Sequence, residues 1–499
     1  MDNINNIEIP INIPIEIPME IDKNMYNIID NIANNIEIPL LNDMYCKTYK
    51  YTLNKFRESL RQAIKANKIN QLEVITNDMI DNYLVNKIQT EYAPHIKKQI
   101  DKLGNIPFVE QKSPEWFRLR EDMISASDAG YFLKKCGISK ALDSLKIKLG
   151  LKKYVNSSAP PLMHGNTYED VARAIYESRN KVSVFEHGII SSPTNFIGAS
   201  PDGIVIKCND SSFECQSKYG RLLEIKNPYS REIDNDVKPE YMVQILQQQY
   251  TTGLPMCDFV ETTIVDKYCK NNSAFYKAYE KLDDMLNDKL DTTNLQYELR
   301  IKNKNIPWEN LNKFGNEKGL VVWYQKFIAY GDIRNKYIIY PLQNQYETKI
   351  IEKWIIDTNF EQSKDGFIFK ETKYWRLQVY SEKTVVYDQH KFENEYIPQL
   401  NNVWDIITIC RNIQINNGNS GNNGNSGNGD SDSAGDSAGN KNISIEKYIE
   451  DLENKKDSPF YNENKRKKKL KISSTSSTSS IKSNIINNMQ GSDEIELDF

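Results

Sequence analysis

The stretch Leu222-Leu223-Glu224-Ile225-Lys226-Asn227-Pro228 constrains the fold of this chain more than any other. Leu223 and Ile225 alternate with Glu224 and Lys226, the period of two that marks a strand with two unlike faces, so the acid and the amine project to the same side. Upstream, Pro201-Asp202-Gly203 is a turn signal between the apolar runs 196–199 and 204–206. It predicts a hairpin that carries the Asp202 carboxylate to the strand. Two carboxylates and one ammonium would then share a polar pocket. A buried charge left without its partner costs about 3 to 5 kcal/mol, and a divalent cation would relieve it. Hard oxygen ligands suit Mg²⁺ or Mn²⁺, which take one or two carboxylates together with substrate phosphate and water. The lysine would hold a metal-bound hydroxide or offset charge on the transition state, the arrangement of metal-assisted phosphodiester hydrolysis. A lone Glu-x-Lys is also common on solvated strand faces.

A chain of 499 residues has room for two or three domains and a sizeable core. Its 39% hydrophobic content and formal net charge of -4 describe a soluble protein with disordered portions. No apolar run approaches the ~20 residues of a membrane span, and the N-terminus lacks the basic-then-apolar order of a secretory signal. An intracellular protein with no membrane partner is expected. The seven cysteines, Cys46, Cys136, Cys208, Cys215, Cys257, Cys269 and Cys410, are scattered without a Cys-x-x-Cys, which argues against disulfides and zinc. Cys208 and Cys215 flank a polar loop and are read as free thiols. The four histidines are equally dispersed, so a histidine metal site is not expected.

Composition divides the chain into five stretches. Residues 1–45 are a low-complexity Asn-Ile-Glu-Pro tract, with repeats such as Ile7-Glu8-Ile9-Pro10, eight acids and a single lysine. Its prolines oppose a regular helix or central strand, so it is read as disordered or extended. Residues 46–105 are helical, with Leu53, Phe56, Leu60 and Ile64 at spacings of three and four and a second run at Ile80, Tyr83, Leu84 and Ile88. Residues 106–290 alternate helix and strand signals and hold the motifs. Residues 291–415 are aromatic-rich, with Trp308, Trp323, Trp354, Trp375 and Trp404, and end in a predicted helix over 389–410. Residues 416–499 comprise an Asn/Gly/Ser linker of flexible type, the basic run Lys465-Arg466-Lys467-Lys468-Lys469-Leu470-Lys471, a Ser/Thr run and an acidic end. The basic run reads equally as a nuclear-import signal, a phosphate anchor or a solvated tail. Both termini are acidic, which leaves the middle mildly basic.

Two helices flank the central motifs. Residues 166–179 place Val171, Ala172, Ile175 and Tyr176 on one side with Glu169 near the start, where a carboxylate often only compensates the helix dipole. Residues 239–250 put Tyr241, Gln244 and Gln248 on one stripe and Met242, Ile245, Leu246 and Gln249 on another. The amide stripe is either a solvent face or a set of contacts to water or DNA.

Six motifs occur in order: Glu115-Trp116-Phe117-Arg118-Leu119-Arg120, Ile124-Ser125-Ala126-Ser127, Met163-His164-Gly165 followed by Glu169, Ser200-Pro201-Asp202-Gly203, Leu223-Glu224-Ile225-Lys226 and Tyr241-Met242-Val243-Gln244. Together they resemble the YqaJ-like viral recombinase family, whose relatives include phage lambda exonuclease, within the PD-(D/E)XK nuclease superfamily. The resemblance implies an α/β fold, a restriction-endonuclease-like core with a mixed sheet flanked by helices and the site at one sheet edge, here with a helical N-terminal region and disordered tails. It implies that Asp202, Glu224, Glu169 and the Ile225 carbonyl ligate Mg²⁺ (or Mn²⁺), that Lys226 activates the attacking water, and that Gln244 is the active-site glutamine. Gln248 is a further contact to DNA or water, uncertain among three neighbouring amides. Arg120, Ser127 and Ser200 match a pocket for a DNA 5′-phosphate, which a guanidinium fork and hydroxyls suit. The alternative reading is a surface ion pair for Arg120 and a helix cap for Ser127.

The implied activity is 5′ to 3′ digestion of duplex DNA ends in viral recombination, repair or replication. A structure-selective endonuclease and a non-catalytic DNA-binding scaffold are the other readings. Expected partners are double-stranded DNA, a single-strand annealing protein and further copies of the chain. The expected location is the host cytoplasm, in a viral factory, the nucleus or the virion. The stretch Tyr374-Trp375-Arg376-Leu377-Gln378-Val379-Tyr380 is similar to the C-terminal extension of virus-encoded members. Its expected job is to pack on the nuclease, with exposed aromatics able to stack on unpaired bases.

Overall fold

The fold is taken from a computed structural model, which describes residues 23–34, 53–66, 75–109, 113–135, 137–152, 159–192, 196–231, 233–234, 236–268, 279–287, 317–328, 333–420 and 444–461. The helices in chain order are α1 (Lys23–Asn34), α2 (Leu53–Ala66), α3 (Asn77–Lys87), α4 (Ala93–Gly104), α5 (Pro114–Glu121), α6 (Ala126–Phe132), α7 (Ile138–Lys148), α8 (Pro160–Asn180), α9 (Phe213–Gln216), α10 (Pro239–Thr252), α11 (Leu282–Asn287), α12 (Thr348–Lys364), α13 (Ile397–Ser420) and α14 (Ile445–Asn454). The strands are β1 (Ile124–Ser125), β2 (Val182–Phe185), β3 (Ile190–Ser191), β4 (Ile197–Ala199), β5 (Gly203–Cys208), β6 (Leu222–Lys226), β7 (Met256–Val265), β8 (Lys318–Phe327), β9 (Ile333–Ile339) and β10 (Ile368–Val386). The chain divides into two compact units, one of Met1–Ser127 with Tyr154–Glu395 and one of Asp128–Lys153 with Tyr396–Phe499. The expected boundaries near 105 and 290 therefore fall inside the first unit.

In the first unit a seven-stranded sheet runs β2-β5-β6-β7-β10-β8-β9, beside a three-stranded sheet β1-β4-β3. The larger sheet is mixed, as expected: β6 lies parallel to β7 and all its other neighbours pair antiparallel. The order helix, three strands, helix, strand (α8, β2, β5, β6, α10, β7) builds the centre, and β8 to β10 extend the sheet beyond β7. β5 and β6 are thus interior strands, so their ends do not lie at a sheet edge as the resemblance implied. Val171, Ala172, Ile175 and Tyr176 of α8 pack on the sheet with Leu223 and Val260, and the same core takes in Leu60, Ile80 and Ile96 of the N-terminal helices. The start of α8 is set by Pro160 and Pro161. α10 begins at Pro239 and ends at Gly253, whose φ of 67° is the left-handed conformation glycine adopts cheaply.

Several local expectations change. The Pro201-Asp202-Gly203 turn does not close a hairpin: β4 belongs to the small sheet and β5 to the large one, so the turn is a crossing between sheets. Asp202 still reaches β6, because β5 pairs antiparallel with it through Gly203 opposite Leu223. A Cβ on Gly203 would stand 2.2 Å from Val184 Cγ1, so only glycine lets the chain pass here. Helix α1 forms within the tract expected to lack one, since residues 19–37 are free of proline and Ile29, Ile32 and Ala33 find burial. α6 begins at Ala126 and not at Asp128, so Ser127 lies in its first turn instead of capping it. The rest of the 1–45 tract, Trp308, Cys46, Cys136, Cys269 and the basic run 465–471 lie outside the described residues. Cys208, Cys215, Cys257 and Cys410 are free thiols, as read for the first two. Among the described residues no helix is long and apolar enough to cross a membrane.

The predicted helix over 389–410 is a π-helical turn, His390–Tyr396, followed by α13 of the second unit. It runs on to Ser420, five residues into the expected linker, as propagation of an established helix costs little per residue. Lys148 pairs with Asp128 at 3.0 Å, Ser144 donates to the same carboxylate, and Gln414 Nε2 donates to Leu149 O.

A buried ionic network in the first unit clamps the strand that follows Arg221. The Asp258 carboxylate of β7, fully enclosed, accepts from Arg221 Nη1, Lys218 Nζ and Tyr176 Oη at 2.8 Å each and from Thr384 Oγ1 at 2.7 Å. Burial alone would raise its pKa, but Arg221 and Lys218 outweigh it and hold the carboxyl well below the usual range. Its contribution is present above the ordinary carboxylate pKa and is lost as pH falls toward the depressed value. Asp258→Ala leaves Arg221 buried without its counter-charge and is expected to cost about 3 to 5 kcal/mol. The double replacement Asp258→Leu with Arg221→Met should cost less than that single change. Urea denaturation of the three proteins measures this, and a double variant less stable than Asp258→Ala would show that the charges stabilise the fold outright.

Candidate functional site

The site forms where β6 ends beside the turn that precedes β5. Asp202 is fixed at both ends of its residue: its N–H donates to Leu223 O at 3.1 Å, and its Oδ2 accepts from Ile225 N at 2.7 Å. One carboxylate is thereby locked onto the strand that carries the other. Glu224 and Lys226 share a face as the period of two requires, and they form an ion pair through Glu224 Oε1. Glu224 is fully buried, and its second oxygen accepts from Gln248 Nε2 at 2.6 Å. Lys226 Nζ also stands 5.1 Å from the centre of the Tyr241 ring, a favourable cation–π distance.

The charge balance is uneven. Burial, then Glu224, then Glu169 raise the Asp202 carboxyl well above the ordinary carboxylate pKa, against the lowering pull of Lys226 and of the Ile225 N–H. Burial would lower the Lys226 ammonium, but Glu224 and Asp202 reverse that and raise it. Lys226 therefore stays charged, and Asp202 holds its proton unusually tightly.

Facing this group is a cleft of about 270 Å³ lined by Trp116, Arg120, Ser125, Ala126, Ser127, Asn166, Glu169, Ile189, Ala199, Ser200, Asp202 and Gln244. Both sets of sequence candidates meet here: Glu169, Asp202 and Gln244 of the catalytic set, and Arg120, Ser127 and Ser200 of the phosphate set. Arg120 Nη2 donates to Ser125 Oγ at 2.8 Å and to Ser127 Oγ at 2.9 Å, the two hydroxyls are 3.1 Å apart, and the guanidinium lies 4.4 Å over the Trp116 ring. The partners of Arg120 thus include two hydroxyls and a ring. Ser125 is the residue the sequence reading passed over. It stands two positions before Ser127 in the same motif, and that spacing was its only signal.

Gln248 belongs elsewhere. Gln247, Gln248 and Gln249 are all buried, so Gln248 presents no solvent face, while Gln244 of the same stripe lines the cleft. Gln247 Nε2 donates to Ile124 O and Gly198 O at 2.8 and 2.9 Å, which ties β1 and β4 to α10. Gln249 Nε2 donates to Pro255 O and Val385 O. Gln248 orients Glu224, and apolar packing of Ile245 and Leu246 brings it there.

The donor set has the chemistry of a hard-cation site, made of carboxylate oxygens with more negative charge than Lys226 offsets. Among the described residues no group of three or more His, Cys, Asp or Glu side chains stands in metal-holding geometry. Both Glu224 oxygens already accept one hydrogen bond, from Lys226 and Gln248, and each keeps a further lone pair that a cation could use.

Residues 115–255 match the YqaJ-like viral recombinase domain. An uncharacterized protein of Acanthamoeba polyphaga mimivirus is 28% identical over 394 residues, which cover 72% of this chain and 64% of that protein. The chain thus spans less than two thirds of the length of that curated relative. Crystal structures of an alkaline exonuclease (LHK-Exo) from Laribacter hongkongensis, alone and in complex with dAMP, are 29% and 30% identical. Each covers 30% of this chain, and 74% and 73% of its own, with a TM-score of 0.25. The matched span takes in all six motifs, from Glu115 to Gln244: the chain carries a YqaJ-like viral recombinase domain over residues 115–255.

Proposed function

We propose that the chain is a divalent-metal-dependent deoxyribonuclease that digests duplex DNA from 5′ ends in the recombination, repair or replication of a large DNA virus. The observation that carries this reading is the single cleft holding both an anion receptor, Arg120 with Ser125, Ser127 and Ser200, and the carboxylates Glu169 and Asp202. Recognition of an end and hydrolysis of the bond beside it need those two sets within one cleft.

Arg120 is preorganised. Its guanidinium is already held by two hydroxyls and a ring, so little side-chain freedom is lost when a phosphate dianion arrives. Its contacts are to phosphate and not to bases, so cleavage should be indifferent to sequence. Asp202, Glu224, Glu169 and the Ile225 carbonyl would hold Mg²⁺ or Mn²⁺, which supplies a lowered water pKa and charge stabilisation on the phosphate. Lys226, kept as an ammonium by Glu224 and Asp202, orients the attacking water and offsets the developing negative charge. Gln244 completes the polar lining opposite the serines. The closest competitor is a structure-selective endonuclease, for which an end-phosphate pocket would have no use.

Duplex with a 5′-phosphate should be degraded about 10- to 100-fold faster than duplex with a 5′-hydroxyl, since a charge-assisted hydrogen bond contributes about 1.5 to 3 kcal/mol. Arg120→Ala should abolish that preference, and Ser125→Ala should reduce it by loosening the guanidinium. Equal rates on the two ends in the unaltered protein, measured in single-turnover digestion, would remove the pocket from the mechanism and favour the endonuclease.

A second prediction follows from the crowding of carboxylates. Because the folded state raises the Asp202 pKa, its carboxyl contributes stability at acid pH that is lost as pH climbs through the raised value. Asp202→Asn keeps an acceptor for the Ile225 N–H and carries no charge. It should abolish cleavage yet stabilise the fold by about 1 kcal/mol near pH 8, with a smaller gain near pH 5. Urea titrations at the two pH values check this, and a variant destabilised at pH 8 would contradict the charge balance.

A further inference from the structure

We infer that the sheet extension β8 to β10 carries a second DNA-contacting surface, an aromatic shelf beside the first turns of α8 that receives single-stranded DNA adjoining the cleft. The inference rests on the nuclease reading above and names the strand that this site leaves unpaired.

Register builds the shelf. Trp323 of β8 stands opposite Tyr337 of β9 and Glu371 of β10, so all three occupy one face. The Trp323 and Tyr337 rings are 6.3 Å apart at an interplanar angle of 21°. Lys373 Nζ lies 5.2 Å from the Tyr268 ring and 5.2 Å from the Trp323 ring, which bridges the two. Lys267 Nζ is a further 5.1 Å from the Tyr268 ring. Rings that serve only packing are enclosed, as Trp375 is on the same face of β10. Tyr268 instead keeps 51% of its surface exposed, and Trp323 and Tyr337 are half-buried.

The shelf is continuous with the cleft. Helix α8, which carries the cleft residues Asn166 and Glu169, packs against β9, the strand of Tyr337. On the other side Tyr229, three residues beyond Lys226, donates to Tyr268 O at 3.1 Å, and its ring lies 5.4 Å from that of His164.

The chemistry selects an unpaired strand. Glu371 pairs with Lys267 at 2.5 Å and accepts from Tyr268 Oη at 2.7 Å, which removes much of the charge that a duplex-backbone surface would need. What remains is a row of rings braced by ammonium groups, with the amides of Gln325 and Asn335 beside them. Such a surface stacks bases, and only unpaired bases offer their faces. Digestion of one strand of a duplex leaves its complement unpaired next to the cleft.

The test is fluorescence anisotropy with fluorescein-labelled dT20 lacking a 5′-phosphate, in EDTA, so that neither the end pocket nor cleavage contributes. Tyr268→Ala combined with Trp323→Ala should weaken binding about 10- to 100-fold. Trp323→Phe should retain most of the affinity, a rescue that a purely structural role would not require. Thermal melting of each variant reports folding, and Tyr268→Ala alone, at an exposed position, gives a folded protein with a partial loss. Unchanged dT20 binding in the folded double variant overturns the shelf and leaves that face to a protein partner. Equal losses in Trp323→Phe and Trp323→Ala also overturn it. Failure of the nuclease reading appears separately, as absence of duplex digestion with dT20 binding intact.

Discussion

A single ammonium, Lys226, stands among three carboxylates at the end of an interior strand, and the arrangement around it follows from keeping that imbalance in place. Glu224 pairs with it directly, Asp202 and Glu169 add further negative charge, and burial together with these neighbouring carboxylates raises the proton affinity of Asp202. Such a group of like charges survives only where the backbone over-determines it. Here the Ile225 N–H binds Asp202, the Gln248 amide binds Glu224, and both contacts depend on β5 and β6 lying side by side. The requirement reaches as far as Gly203, where a Cβ would crowd Val184 Cγ1 at 2.2 Å beside the Asp202 turn.

Helix α10 turns this local device into a site with two halves. Three successive buried glutamines hold three different parts of the first unit: Gln247 the small sheet, Gln248 the Glu224 carboxylate, and Gln249 the chain at Pro255 and Val385. The small sheet supplies Ser125, and Ser200 follows its strand β4, so one helix sets the distance from the hydroxyls of the cleft to the carboxylates. Below, the Asp258 network fixes Arg221, the residue just before β6. A site assembled on sheet strands, a buried helix and one turn pinned to β6 through Asp202 has little freedom to drift from its working geometry.

Much of this was legible in the sequence, for identifiable reasons. The period of two in Leu223-Glu224-Ile225-Lys226 depends only on strand geometry, so the shared face of Glu224 and Lys226 could be read directly. The apolar spacing gave α8 from 166 onward, six residues short of its start at Pro160, and Pro239 marked the start of α10. What escaped depended on pairing between distant segments. No local signal says that β4 and β5 enter different sheets, so the turn at Asp202 looked like a hairpin. The structural roles of Gln247 to Gln249 gave no signal because their partners, Ile124, Gly198, Glu224, Pro255 and Val385, are mostly remote in sequence. Asp258 and Arg221 carry the same lesson, since charged residues at ordinary spacing give no sign of being enclosed. Helix α1 shows the converse, a proline-poor interval inside a proline-rich tract that gains enough burial to fold.

The central claim is that this charge-crowded strand end cuts DNA at its ends. It is tested most directly by incubating linear duplex and covalently closed circular duplex with the unaltered protein and with Glu224→Gln, in Mg²⁺ and in EDTA, and following release of label from each terminus. The account predicts loss of 5′-terminal label from the linear duplex in Mg²⁺ only, an intact circle, and no release by Glu224→Gln. Cleavage of the circle at a rate comparable to the linear duplex, or undiminished digestion by Glu224→Gln, would contradict it.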